Sequence, residues 1–191
     1  MNSAKRILLY WLLAAALPGR LVYSQPIEKP SQRVLEYIER YRVLAVEEMR
    51  RTGVPASITL AQGIYESGAG TSRLATEGNN HFGIKCKKEW TGPTLTHTDD
   101  RPRECFRKYA TAEESYRDHS DFLRTRAHYG FLFLLDPLDY NGWAFGLKKA
   151  GYATSSTYPR SLLRLIEGYQ LHQFDRLALQ APATSTVTTN K

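Results

Sequence analysis

Apolar residues recur at helical spacing along most of this chain, and the rhythm gives way in one long stretch, residues 78 to 109. That contrast limits the fold to a mainly α architecture with one small non-helical insertion. Val34, Leu35, Ile38, Tyr41, Ala45 and Met49 mark a first helix, with Ser31 placed to cap it and Gly53 to end it. Pro55 suits the first turn of a second helix, which runs through Ile58, Ala61, Ile64 and Tyr65 and stops at Ser67-Gly68-Ala69-Gly70. Between residues 78 and 109, Gly, Asn, Pro, Thr and Asp are frequent, which reads as an irregular loop and a short β-hairpin. Thr111 and Glu114 form a capping box for a helix to about Thr125, with Tyr116, Phe122 and Leu123 inward. Asp139 caps another helix, carrying Trp143 and Leu147 and closed by Gly151. A last helix spans roughly Arg160 to Phe174, with Leu162, Leu163, Leu165, Ile166 and Tyr169. The length, 191 residues, suits one compact domain.

The first 24 residues have a different character. Lys5 and Arg6 precede the apolar run Ile7 to Leu17, Pro18 and Gly19 break it, and Val22-Tyr23-Ser24 fits a signal-peptidase site. Residues 1–24 therefore read as a signal peptide and 25–32 as a polar lead. The folded domain is expected over 33–175, and a Thr/Ser/Pro-rich disordered tail over 176–191. Export to the periplasm or cell envelope follows, with no membrane segment once the signal is cleaved. Lys5, Arg6 and Arg20 are three of the 26 basic residues, which leaves 23 against 19 acidic ones. So modest a positive balance tolerates an anionic polymer partner. The basic residues are dispersed among acids, against the dense stripe a nucleic-acid binder needs.

Cys86 and Cys105 are the two cysteines. In an exported chain one disulfide is the simplest reading. The rival is a zinc site of Cys86, Cys105, His81 and His97, whose spacings match no common zinc pattern.

Glu66 stands out as a carboxylate at the C-terminal end of an apolar helix. Desolvation there disfavours the charged form and raises the pKa, as a general acid near neutral pH requires. Asp99 and Asp100, in the expected hairpin, are candidates for a second carboxylate; adjacent acids on a loop are also ordinary turn formers. Trp90, Tyr109, Tyr152 and Tyr158 offer faces on which sugar rings stack, whereas Trp143 lies at core spacing. Tyr152 follows Gly151 directly after a helix and can project into a cleft. Asn79, Asn80 and His81 can hold a sugar amide or build turns. No Gly-rich phosphate loop is present.

The segment Gly53 to Gly70, GVPASITLAQGIYESGAG, resembles the catalytic segment of glycoside hydrolase family 73, the β-N-acetylglucosaminidase domain of flagellar rod-cap hydrolases and autolysins. Gly78 to Lys85 (GNNHFGIK), Trp90-Thr91-Gly92, Phe106-Arg107-Lys108-Tyr109 and Ala150 to Thr154 (AGYAT) are similar to further elements of that family, in order. The likeness covers about residues 33 to 175. It implies a lysozyme-like helical fold with a β-lobe across a glycan groove, and cleavage of the β-1,4 bond after N-acetylglucosamine in peptidoglycan strands. It also implies Glu66 as general acid and Tyr152 as a substrate-holding tyrosine; Asn79, Asn80, Phe82, Trp90, Tyr109 and Tyr158 are the candidates for binding the substrate. The family often has Thr-x-Glu in the hairpin where this chain reads Thr98-Asp99-Asp100, so Asp100 is the closest match to the second acid and Asp99 the next. Water activated by that aspartate, or the substrate's own 2-acetamido group, completes the reaction. No metal or organic cofactor is called for. Two other readings are a lytic transglycosylase, which uses one protonated glutamate without water, and a non-catalytic peptidoglycan-binding or assembly module.

Overall fold

A computed structural model describes residues 30–99 and 101–180. The expected signal peptide, most of the expected polar lead, Asp100 and the expected tail beyond residue 180 lie outside the described residues. The chain folds into a mainly helical domain carrying one two-stranded antiparallel sheet.

Helix α1 (Gln32–Thr52) starts after Ser31 and ends at Gly53, whose φ of 85° lets its N–H close back on Met49 O at 2.8 Å. Helix α2 (Ala56–Ser67) is buried at every position from Ala56 to Ile64, its polar Ser57, Thr59 and Gln62 included. It runs through the middle of the domain, packed by α1, by α5 (Tyr140–Lys149), by α6 (Tyr158–Gly168) and by α7 (His172–Leu179). Only its last turn emerges, with Tyr65 exposed and Glu66 half-buried. Helix α4 (Ala112–Thr125) opens on the expected capping box: Glu114 N–H donates to Thr111 Oγ1, and the Glu114 carboxylate accepts from Ala110 N–H. Asp139 caps α5 by accepting from Gly142 N–H at 2.8 Å.

The insertion is a hairpin, β1 (Thr94–His97) against β2 (Glu104–Arg107), with Leu95 opposite Phe106 and Thr96 opposite Cys105. Residues 84–86 run along the other side of β2 through the pairs Cys86 N–H to Cys105 O and Arg107 N–H to Ile84 O. Cys86 and Cys105 form a disulfide, Cα atoms 5.3 Å apart, which closes the zinc reading of that pair.

Three features depart from the sequence expectation. A short helix α3 (Arg73–Gly78) precedes the hairpin, capped by Ser72, whose hydroxyl accepts from Ala75 N–H. Residues Ala127–Leu134 form a 3₁₀ helix, whose three-residue period escapes a search tuned to 3.6. The last helix is two: α6 ends before Gln170, which adopts φ 54° without being glycine, and α7 then carries the helical domain past Arg176, where the tail was expected, to Leu179. A non-glycine residue in the left-handed region leaves no glycine signal in the sequence.

Candidate active site

Glu66 sits where α2 leaves the core. Burial raises its carboxyl to a pKa of about 7, against the opposing hydrogen bond from Tyr158, and the charge of Asp99 adds to the rise. Desolvation wins because the helix beneath is fully enclosed. At neutral pH a large share of Glu66 therefore carries a proton. Tyr158, at the start of α6 and 1% exposed, donates its hydroxyl to Glu66 Oε1 at 2.9 Å. The Tyr158 oxygen in turn accepts from Gln62 Nε2 at 3.0 Å, and His119 Nε2 lies 3.2 Å from Gln62 Oε1. Gln62 and His119 are both fully buried, and burial lowers the His119 pKa to about 3, so its ring is neutral.

Tyr152 lies over this row. Gly151, at φ 85°, turns the chain out of α5, and Lys148 Nζ donates to the carbonyls of Ala153 and Thr154, which ties the turn down. The Tyr152 ring stacks on Tyr158 with centroids 5.9 Å apart and an interplanar angle of 22°. Phe122, Tyr129 and His119 surround its other edges. Burial, then the neighbouring charge of Glu66, holds its hydroxyl well above the usual phenol range, so it keeps its proton.

The hairpin brings a second set of charges. Asp99 follows β1, its side chain 53% exposed, with Oδ2 3.1 Å from Lys85 Nζ. Lys85 also reaches both Glu104 oxygens at 3.1 Å, and that hydrogen bond holds the Glu104 carboxyl below its ordinary range. Glu104 and Lys85 were not singled out in the sequence; a lysine opposite a hairpin dense in acids is the signal that marks them. Asp100, the closest match to a second acid, lies outside the described residues.

Several residues expected at the substrate make contacts within the fold. Asn79 Nδ2 donates to the carbonyls of Tyr109 and Ala110. Asn80, 1% exposed, ties Ile84 N–H and the carbonyls of Ile84 and Arg107. These amides hold the hairpin to the helical lobe. Phe82 is a core residue stacked on His119 at 3.9 Å, so it backs the site from inside. Tyr109 is buried and donates to Asp118, which also pairs with Arg107. Trp90 is half-buried under Arg107, with its indole N–H on Pro93 O at 2.9 Å. Tyr158 contacts the acid rather than open groove. His81 is buried and hydrogen-bonded through Nδ1 to Tyr37, within a tyrosine cluster below the turn after Glu66.

A helical domain with a hairpin lobe, and a glutamic acid of raised pKa beside a tyrosine where its central helix leaves the core, fits the lysozyme-like class of glycoside hydrolase domains. Residues 43–171 match the glucosaminidase family model, described as mannosyl-glycoprotein endo-β-N-acetylglucosaminidase. Over 169 residues the chain is 29% identical to the peptidoglycan hydrolase FlgJ of Vibrio cholerae, a match covering 81% of this chain and 49% of that protein. It is 33% identical over 132 residues to the exo-glucosaminidase LytG of Bacillus subtilis, covering 63% of this chain and 46% of that one. The crystal structure of a peptidoglycan hydrolase from Sphingomonas sp. A1 superposes with a TM-score of 0.63 at 28% identity, covering 78% of this chain and 98% of that chain. The chain belongs to the glucosaminidase family, and it spans about half the length of the curated relatives it matches.

Proposed function

We propose that this domain hydrolyses the glycan strands of peptidoglycan at the β-1,4 bond following N-acetylglucosamine, with Glu66 as proton donor. The observation that carries the reading is Glu66 itself, half-buried at the end of an enclosed helix, raised to about 7, with one oxygen engaged by Tyr158. The other oxygen delivers its proton to the glycosidic oxygen, the C1–O bond breaks, and its electron pair goes to the leaving sugar. Positive charge develops at the anomeric carbon. The hairpin aspartates, Asp100 or Asp99, then activate water, or the 2-acetamido group of the substrate attacks first while Tyr152 steadies it. Proton NMR of the first-formed product separates the two: the inverted anomer means direct water attack, and the retained anomer means attack by the acetamido group.

The relatives' wall-hydrolase names, together with the signal-like start of the sequence, support action in the cell envelope. Among the described residues no helix is long and apolar enough to cross a membrane.

The test is mass spectrometry of soluble fragments released from purified peptidoglycan, beside a Glu66→Gln control. Fragments ending in reducing N-acetylglucosamine, absent with the control, are expected. Anhydro-muramic ends would assign a lytic transglycosylase. No release by a folded protein that still binds the sacculus would assign a non-catalytic module.

A further inference from the structure

Behind Glu66 runs a row of buried polar groups, Tyr158, Gln62 and His119. The heavy-atom contacts along it fit one consistent arrangement of protons. His119 Nδ1 makes no hydrogen bond among the described residues. A proton placed there would be a buried donor without a partner, so the neutral ring carries its proton on Nε2. Nε2–H then donates to the atom it faces, Gln62 Oε1. That contact decides which way the Gln62 amide points and turns its NH₂ toward the Tyr158 oxygen. With a lone pair of that oxygen engaged, the Tyr158 hydroxyl directs its own proton to Glu66 Oε1. Every bond in the row points the same way, and the row ends on the carboxyl.

We propose that Gln62 and His119 are positioning residues of the hydrolase: they lock the Tyr158 hydroxyl as a donor to Glu66 Oε1, which leaves Oε2 as the proton-bearing oxygen aimed at the substrate. This rests on the reading of Glu66 as proton donor. If the amide of Gln62 were reversed, its carbonyl would capture the Tyr158 proton, and Glu66 would lose the donor that stabilises its anion. The bond from Tyr158 is a neutral one while Glu66 is protonated and becomes charge-assisted once the proton has left. It therefore favours the transition state over the ground state, which is the condition for raising kcat rather than tightening binding.

The other groups facing Glu66 are accounted for. Tyr152 and Tyr158 face it from the turn after α5 and from α6, and Asp99 acts from the hairpin, itself paired with Lys85. His119, on α4, acts only through Gln62.

The experiment measures kcat and KM against pH on purified peptidoglycan, together with NMR titration of the Glu66 carboxyl carbon. The proteins are wild type, Glu66→Gln, Tyr158→Phe, Gln62→Met, His119→Phe and His119→Gln. Losing the donor removes a force that lowers the Glu66 pKa. Gln62→Met and Tyr158→Phe are expected to move the alkaline limb and the carboxyl titration upward by about half to one unit, and to cut kcat about tenfold with KM within about twofold. His119→Phe keeps the ring stack on Phe82 and is expected to shift both in the same direction. His119→Gln supplies an N–H again and is expected to restore the wild-type profile. A Glu66→Gln protein that stays active overturns the reading of Glu66 itself. An inactive Glu66→Gln beside a folded Gln62→Met with wild-type titration and kcat overturns the lock alone. Should Gln62→Met fail to fold, an unshifted carboxyl titration in both His119→Phe and Tyr158→Phe overturns it equally.

Discussion

Asp175 is fully buried on α7 and holds the start of the helix that carries Glu66. Its Oδ1 accepts from Ser57 N–H at 2.7 Å and its Oδ2 from the Ser57 hydroxyl at 2.6 Å. A carboxylate at a helix N-terminus is ordinarily stabilised by the free N–H groups there. Here burial outweighs that help and raises the Asp175 pKa from 3.8 to about 6. A folded-state value above the unfolded one means that the native protein binds the proton more tightly. The resulting stability is fully present below pH 3.8 and is lost as pH rises through about 6. A shift of about two units corresponds to roughly 3 kcal/mol across that window. Asp175→Asn keeps an acceptor for Ser57 N–H and cannot ionise.

The expected result is that unfolding free energy, measured by urea titration at half-unit steps from pH 4 to 7.5, falls in wild type relative to Asp175→Asn by about 3 kcal/mol. The difference between the two proteins is the informative quantity. Wild type alone mixes opposing contributions: His81 and His119 have folded values lowered to about 4 and about 3 by burial, so their stability is present above 6.5 and lost as pH falls. A wild-type-minus-variant difference that stays flat from pH 4 to 7.5 would refute the claim that burial, rather than the helix terminus, controls this carboxyl.

Other consequences can be checked separately. The alkaline limb of kcat/KM on peptidoglycan is expected near pH 7, where Glu66 loses its proton; a rate still level at pH 9 would remove Glu66 as the acid. Cys86→Ser opens a loop with a sequence separation of 19 residues, worth about 3 kcal/mol in the chain-entropy model; reductant should lower the melting temperature of wild type and leave the variant unmoved, and finding free thiols in the native protein would refute it. Gly63→Ala would place its Cβ 2.5 Å from Tyr37 Oη and 3.1 Å from Tyr116 Oη, inside a buried network with little room to yield. It is expected to cost about 1–3 kcal/mol, against a gain of about 1 kcal/mol in helix propensity, and a variant as stable as wild type in denaturant would show that the network yields after all.

The helical half of the fold was legible because its signals are local. Gly53 after a periodic run, Thr111 with Glu114, and Asp139 each act within four residues of where they stand, and each does so in the structure. The misses share a different cause. The α6–α7 break at Gln170 and the 3₁₀ run from Ala127 depend on packing and carry no glycine or 3.6-residue rhythm. Within the candidate site, the half-burial of Glu66 was legible from its place on an apolar helix, and the position of Tyr152 from the Gly151 turn. The asparagines stayed ambiguous in the sequence because a side-chain amide suits a sugar and a backbone equally well. Only the fold shows that the amides of Asn79 and Asn80 already hold the carbonyls of residues 84, 107, 109 and 110.

The two halves of the site are built on different principles, and this explains why one resisted reading. The surroundings of Glu66 are set by groups far apart in sequence: Tyr158 reaches Glu66 across 92 positions, and His119 reaches Gln62 across 57. A motif around residue 66 therefore marks the carboxyl and says nothing of what tunes it. The hairpin carboxylates have no comparable enclosure. Asp99 is more than half exposed and is held by one lysine that it shares with Glu104, while the disulfide fastens the strand behind it. An enclosed acid keeps a fixed geometry and a raised pKa, and an exposed carboxylate on a small lobe keeps access to water. The proposed reaction draws on both, with Glu66 on α2 as its proton donor and a hairpin aspartate as the partner.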